Sequence, residues 1–307
     1  MQTILPVLLH RRLAVAYQRE RLELPDGDFL DLDWARFGEK NPRLAILTHG
    51  LEGDANAGYI RGMAAALGAA GWDALAWTLR GCGPEPNRLA RFYHSGETRD
   101  LAAVIAHAAA AGNYPRVALV GFSLGGNVTL KYLGETAPPH PAIVGAVAIS
   151  VPVELAASAA RLDQQLGNRV YLRRFLRTLV EKVEAKAARF PGQFDLAGIR
   201  RVRGFQEFDD RYTAPIHGFR DAADYWRQSS ARQFLPTLRV PTLLVNARDD
   251  PFLAPECFPF AEAEANPCLF FQAPNHGGHV GFLDFTEGVR GRTWAERRAV
   301  DFLAAHS

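Results

Sequence analysis

Cysteine is scarce, with three residues in 307, at positions 82, 257 and 268. That number and scatter exclude a disulfide framework and a zinc ribbon, so reduced thiols and a cytoplasmic setting are expected. Long apolar runs are missing too. The longest, Ala142–Val153, falls well short of the ~20 residues that cross a bilayer. Ile4–Leu9 is apolar, but its arginines (Arg11, Arg12) follow it, the wrong order for a secretory signal. Neither sign of charge dominates, since 35 basic and 33 acidic residues leave a net +2. Residues 161–211 hold 12 Lys/Arg against 7 Asp/Glu. A local basic segment on a near-neutral body is not the footprint of a nucleic-acid binder. Its helix reads as a solvated face, and membrane contact is not expected. No repeat and no P-loop occur, and Gly81-Cys82-Gly83 runs into Pro84 instead of completing a dinucleotide-binding G-x-G-x-x-G. No cofactor is expected. What remains is a soluble globular chain, 48% hydrophobic and 22% charged, long enough to bury a core.

The first recognisable unit is a hairpin. Leu22 and Leu24, then Leu30, Leu32 and Trp34, alternate with charged residues around Asp26-Gly27, which predicts two antiparallel strands with one wet face. From Leu44 the texture changes to short, wholly apolar strands followed by helical stretches. Strands are expected at 44–47, 72–79, 117–122, 144–150, 242–246 and 268–272. Helices are expected near 57–70, 98–111, 126–134 and 294–305. Strands without a polar face, alternating with helices, mean a mostly parallel sheet covered on both sides, an α/β architecture. The alternation stops between 151 and 235, where apolar residues at 172, 175, 176, 179, 180 and 183 mark an amphipathic helix. Residues 1–307 therefore read as one α/β domain, with 151–235 as a helical cap inserted over the strand ends.

The sharpest chemical signal is Gly121-Phe122-Ser123-Leu124-Gly125, a G-x-S-x-G placed between a buried strand and a helix. A serine on a sharp strand-to-helix turn needs small residues two positions to either side, and its helix N-terminus and the Leu124 amide face developing negative charge. A hydroxyl needs a base, and the base needs an orienting acid. Both should follow the serine, each after a later strand. Residues 242–246 run into Asp249-Asp250-Pro251, and 268–272 run into His276-Gly277-Gly278-His279. Asp250 is favoured as the acid and Asp249 as a turn cap. His279, after two glycines, is favoured as the base, with His276 a loop hydrogen-bonder. A zinc site built from these histidines would lack a third ligand and leave Ser123 unexplained. The second oxyanion amide is assigned to Leu51 in His49-Gly50-Leu51-Glu52-Gly53, with His49 ordering that loop. Cys82 reads as a small turn residue.

With these residues in place, the chain resembles the α/β-hydrolase superfamily, and within it the YheT-like hydrolases related to eukaryotic ABHD and plant embryogenesis-associated proteins. The resemblance rests on His49–Gly53, Arg80-Gly81-Cys82 with Glu85–Arg88, Tyr93-His94-Ser95-Gly96, and Gly121–Asn127 with Lys131–Gly134. It continues through Phe208-Asp209-Asp210, Thr213-Ala214-Pro215, Gly218-Phe219, Asp249–Phe252 and Gly277–Phe282. It implies an α/β-hydrolase fold, a triad of Ser123, Asp250 and His279, and carboxylic-ester substrates. Family members usually carry a segment ahead of the part matching Gln2-Thr3-Ile4, so the resemblance favours an enzyme without a membrane anchor. The expected activity is a serine esterase acting on a small-molecule ester with an apolar acyl group. A thioesterase, amidase or acyltransferase would use the same triad, and a non-catalytic binding protein is the rival of another class. Because the base must be neutral, activity should fall on acidification through the ordinary histidine range.

Overall fold

A computed structural model describes residues 15–38, 41–111, 114–136, 139–284 and 292–306. The Ile4–Leu9 run and the Gln2-Thr3-Ile4 segment lie outside them. Eight strands form one sheet: β1 (Gln18–Glu23), β2 (Phe29–Ala35), β3 (Arg43–Thr48), β4 (Asp73–Thr78), β5 (Arg116–Phe122), β6 (Ile143–Ile149), β7 (Thr242–Val245) and β8 (Leu269–Gln272). Their order is β1-β2-β4-β3-β5-β6-β7-β8. The β1–β2 and β2–β4 pairs are antiparallel and every other pair is parallel. Helices α1 (Gly58–Ala69) and α2 (Thr98–Ala110) flank β4, and α3 (Leu124–Glu135) follows β5.

Apolar residues on both faces of the central strands explain this layering. Leu44 and Ile46 of β3 pack with Leu101 and Val104 of α2 and with Val128 of α3. Ala45 and Leu47, pointing the other way, pack with Ile60, Met63 and Leu67 of α1 and with Phe302 near the C-terminus. Each such Leu or Ile contributes about 1.5–3 kcal/mol on burial.

The hairpin departs from expectation on one strand. The turn forms where Asp26-Gly27 predicted it, with Gly27 at φ 83°, but β2 is buried on both faces. Its alternating aspartates are roofed by the edge strand. Arg19 pairs with Asp33 at 2.8 Å, and Arg21 reaches Asp31 at 3.5 Å. Alternation of charge marks a wet face only when no neighbouring strand carries the opposite charge in register.

Between β6 and β7 the chain is helical. Helices α4 (Leu155–Gln164) and α5 (Arg169–Arg189) are followed by the short α6 (Phe205–Phe208), α7 (Ala214–His217) and α8 (Ala222–Ser229). This segment has its own apolar cluster, built on Leu172, Leu176, Leu179 and Val183 of α5 with Phe205 and Phe208. The chain then returns to the sheet and ends with α9 (Phe260–Ala265) and α10 (Trp294–His306). Among the described residues no helix is long and apolar enough to cross a membrane.

Registers align the carboxyl ends of the strands. Thr48 faces Gly121, Phe122 faces Ile149, Ile149 faces Val245, and Val245 faces Gln272. The chain moves from β3 outward to β4, then crosses back to β5 on the other side of β3. A crevice outside the strand ends at such a reversal is the usual ligand position in open α/β sheets.

Candidate active site

Ser123 stands between β5 and α3 with φ 51° and ψ −119°, a left-handed conformation that costs a non-glycine residue about 1–3 kcal/mol. Its own amide is held by the Ile149 carbonyl at 2.8 Å. Glycine is required on both sides. A Cβ on Gly121 would lie 2.4 Å from the Gly125 carbonyl oxygen, and one on Gly125 would lie 2.4 Å from the Thr48 and His49 oxygens. The elbow thus packs directly on the backbone that leaves β3. A Gly50 Cβ would come within 3.1 Å of the Ser123 Cβ, so the loop carrying Leu51 passes beside the hydroxyl.

His279 Nε2 lies 3.0 Å from Ser123 Oγ, and His279 Nδ1 lies 2.8 Å from Asp250 Oδ2. A carboxylate only accepts, so Nδ1 carries the proton and Nε2 is left to accept from the serine hydroxyl. Asp250 is buried, and its second oxygen accepts the Phe252 amide at 2.9 Å. The Asx turn therefore belongs to Asp250. Asp249, expected to cap that turn, instead reaches across to the next loop, where its Oδ1 accepts the amides of Gly277 and Gly278 at 2.8 Å each. It fixes the bend that delivers His279. His276 is exposed, with Nδ1 3.6 Å from Asp249 Oδ2. Phe252 stacks obliquely on the His279 ring, with centroids 4.4 Å apart.

Leu51, Ser123, Leu124 and His279 line one cleft. The Leu124 amide opens α3 and has no intrahelical partner. The Leu51 loop is fixed from several sides. Gly50 donates to the Tyr59 hydroxyl at 3.0 Å, and Glu52, at φ 54°, donates to the Tyr93 hydroxyl at 3.0 Å. That hydroxyl returns its proton to Glu52 Oε1 at 2.7 Å. His49 is buried. Its Nε2 accepts the Leu79 amide at 3.0 Å, so Nδ1 donates to the Gly50 carbonyl at 2.7 Å.

Burial pulls the His49 imidazole down to about 4, outweighing the Gly50 hydrogen bond that favours its charged form. The unfolded chain, with an ordinary imidazole, binds more protons than the folded one between about pH 4 and 6.5. Stability supplied by this neutral histidine is complete above that window and is lost as pH falls through it. From pH 7 to 5 the expected loss is about 2 kcal/mol. Urea unfolding at both pH values would measure it, and His49→Gln should flatten the slope by that amount. An unchanged slope would contradict the assignment.

Comparison with known proteins fits this geometry. A model of the α/β hydrolase fold family matches residues 46–286. The chain belongs to that family. Within it, the chain is YheT-like: it is 39% identical to YheT of Escherichia coli (strain K12) over all of its own length and 90% of that protein's. It is 29% identical to phospholipase ABHD3 of Mus musculus, over 99% of this chain and 75% of the relative. Among solved structures, the esterase Pf2001 of Pyrococcus furiosus superposes with a TM-score of 0.65 at 19% identity, covering 96% of this chain and 92% of the other.

In this α/β hydrolase the helical segment between β6 and β7 is tied to the Leu51 loop. Lys182 of α5 pairs with Glu52 at 2.5 Å and lies 3.3 Å from the Cys82 sulfur. One turn on, Lys186 donates to the Asn87 carbonyl at 2.8 Å. The basic helix is therefore only partly a solvated face, because two of its lysines, Lys182 half-buried and Lys186 buried, are clamps. Sequence could not mark them, since lysines on an amphipathic helix look alike until a partner loop is placed beside them. The other family motifs are fasteners as well. Arg80 grips Asp100 through two bonds of 2.7 and 2.8 Å. Asn127 binds the carbonyls of Ser95 and Ser229 at 2.8 and 2.7 Å. Tyr225 accepts the Ser95 amide at 2.9 Å.

Among the described residues one trio has metal-like composition. Ligand atoms of His94, Glu97 and His217 lie within 4.8 Å of one another. His94 Nδ1 already accepts the Gly96 amide at 3.1 Å, so its Nε2 carries a proton toward Glu97, 3.5 Å away. Arg91 occupies the same carboxylate. A metal-binding imidazole donates from its other nitrogen. His94 cannot, and the trio fits an ion-pair cluster better than a metal.

The cleft holds about 850 Å³ of empty space, part of it open to solvent. Its walls are mainly apolar, with Leu155, Leu162, Phe175, Leu179 and Phe205 contributed by the helical segment. A concave apolar cleft with a few convergent polar groups is what a small-molecule site requires.

Proposed function

We propose that this protein hydrolyses carboxylic esters with an apolar acyl group through an acyl-enzyme on Ser123. The observation that carries the reading is the continuous relay from Asp250 to His279 to Ser123, at 2.8 and 3.0 Å, opening into an apolar cleft. His279, oriented by Asp250, takes the proton of Ser123 as Oγ attacks the acyl carbonyl, and the carbonyl π electrons pass to its oxygen. The amides of Leu51 and Leu124 hold that oxyanion. As the tetrahedral adduct collapses, the carbon–oxygen bond to the alcohol breaks and His279 returns the proton to the departing oxygen. Water repeats the sequence and releases the acid. Residues 151–235 act as a cap whose aromatic and aliphatic side chains wall the cleft beside Ser123. The mouse relative ABHD3 is named a phospholipase, and a lipid substrate is consistent with this reading.

A fluorophosphonate probe tests it. Covalent labelling is expected at Ser123 and should vanish in Ser123→Ala. With p-nitrophenyl esters, kcat/KM should rise about tenfold per added pair of methylenes until the pocket is filled, since each buried CH₂ contributes about 0.8 kcal/mol. Matched thioesters and anilides should turn over more slowly than the oxygen esters. No labelling of folded protein would overturn the hydrolase and favour a binding role.

A further inference from the structure

The cleft beside Ser123 contains an acid that takes no part in the ester chemistry. Asp209 lines it and is only 8% exposed. Trp226 Nε1 donates to its Oδ2 at 2.8 Å, and the Thr213 side chain adds a second hydrogen bond. Among the described residues no lysine, arginine or histidine forms an ion pair with it. Its charged neighbours are Asp163 on α4 and the adjacent Asp210, both of the same sign. Burial therefore drives the carboxyl up to about 7 despite the two hydrogen bonds that oppose it.

The position is built into the backbone. Residues Asp209–Thr213 form one π-helical turn directly after α6, which turns Asp209, Tyr212 and Thr213 inward. Asp210 is left to accept the Ala222 amide at 2.7 Å, at the start of α8. Single π turns recur at functional sites. An unpaired carboxylate in apolar surroundings carries a desolvation cost, which either a proton or a cation removes. The rings of Phe92, Phe205, Phe208, Tyr225 and Trp226 line the same cleft. Aromatic faces attract cations, most strongly where water is excluded. A primary ammonium would need acceptors for three N–H groups, whereas a quaternary ammonium needs only charge and ring faces.

We propose that Asp209 and the rings lining the same cleft form a cation subsite, so that the preferred esters carry a quaternary ammonium group on their alcohol part, which reaches into the helical segment. The proposal rests on the Ser123 cleft being the substrate site.

The test compares two isosteric esters of one fatty acid, the choline ester and the uncharged 3,3-dimethylbutyl ester. At pH 8 the choline ester should be favoured at least about tenfold in kcat/KM. That preference should collapse toward one in Asp209→Asn, and it should shrink at pH 6 as the carboxyl takes up a proton. Equal rates on the two esters in the native enzyme would overturn the subsite. So would equal losses on both esters in Asp209→Asn, the signature of a merely structural contact to Trp226. Calorimetry of choline itself with Ser123→Ala needs no turnover, and Asp209-dependent binding is expected there. If choline binds in this way but neither ester is cleaved, the subsite stands and the hydrolase reading falls. If both esters are cleaved alike and choline does not bind, the subsite falls alone. If choline does not bind and neither ester is cleaved, both fall.

Discussion

Ser123→Ala is expected to lower kcat/KM on p-nitrophenyl butyrate by at least about 10⁴-fold, with the urea midpoint unchanged. The two halves of that result have different causes. Activity is lost because the Oγ that attacks the acyl carbonyl and gives its proton to His279 is gone. Stability is kept because His279 remains bonded to Asp250 at 2.8 Å and because alanine at φ 51° is strained about as much as serine is. Asp250→Asn should cost a comparable factor for a more specific reason. The Phe252 amide donates to Asp250 Oδ1, so an asparagine there would turn its carbonyl toward Phe252 and its NH₂ toward His279. The imidazole would then hold its proton on Nε2, facing the serine, and could not act as a base. The double variant should be no worse than Ser123→Ala alone, because groups that act as a unit are lost as a unit. An Asp250→Asn enzyme retaining more than about a tenth of native kcat/KM would contradict the relay.

How much of this was legible before any coordinates depended on whether the signal was local. Ser123 was marked by glycines whose spacing is dictated by backbone contact two residues away, and Asp250 and His279 by their position just after apolar strands. Strand ends in a parallel sheet converge whatever the sequence between them, so three stretches spread along 156 residues of chain could be read as one site. Choosing between Asp249 and Asp250 was harder. Both are turn formers, and only the structure shows one accepting Phe252 within its own loop and the other accepting Gly277 and Gly278 across from it. Residues acting at long range were invisible. Lys182 meets Glu52 across 130 positions, and neither residue type is unusual where it stands. The β2 aspartates misled in the same way, because their burial is decided by Arg19 and Arg21 on the partner strand.

Gly125→Ala is the substitution expected to damage the fold most. The added methyl would meet the Thr48 and His49 carbonyl oxygens at 2.4 Å and the Thr48 carbonyl carbon at 2.7 Å. These are backbone atoms at the end of a strand paired on both sides, by β4 and β5, so they cannot swing aside as a side-chain tip would. Gly126 is the instructive neighbour, since its added methyl would first meet the Val151 side chain at 2.5 Å. A destabilisation of at least about 3 kcal/mol is expected for Gly125→Ala and a smaller one for Gly126→Ala. Gly167→Ala, where an added methyl meets nothing within 4 Å, should leave stability within about 1 kcal/mol of the native chain. Urea unfolding of the three variants gives the ranking, and a Gly125→Ala protein with a native midpoint would contradict the contact. Any Gly125→Ala protein that does fold must have moved the backbone from Thr48 to His49, which carries the Leu51 amide away from Ser123. Its activity should therefore fall further than its folded fraction.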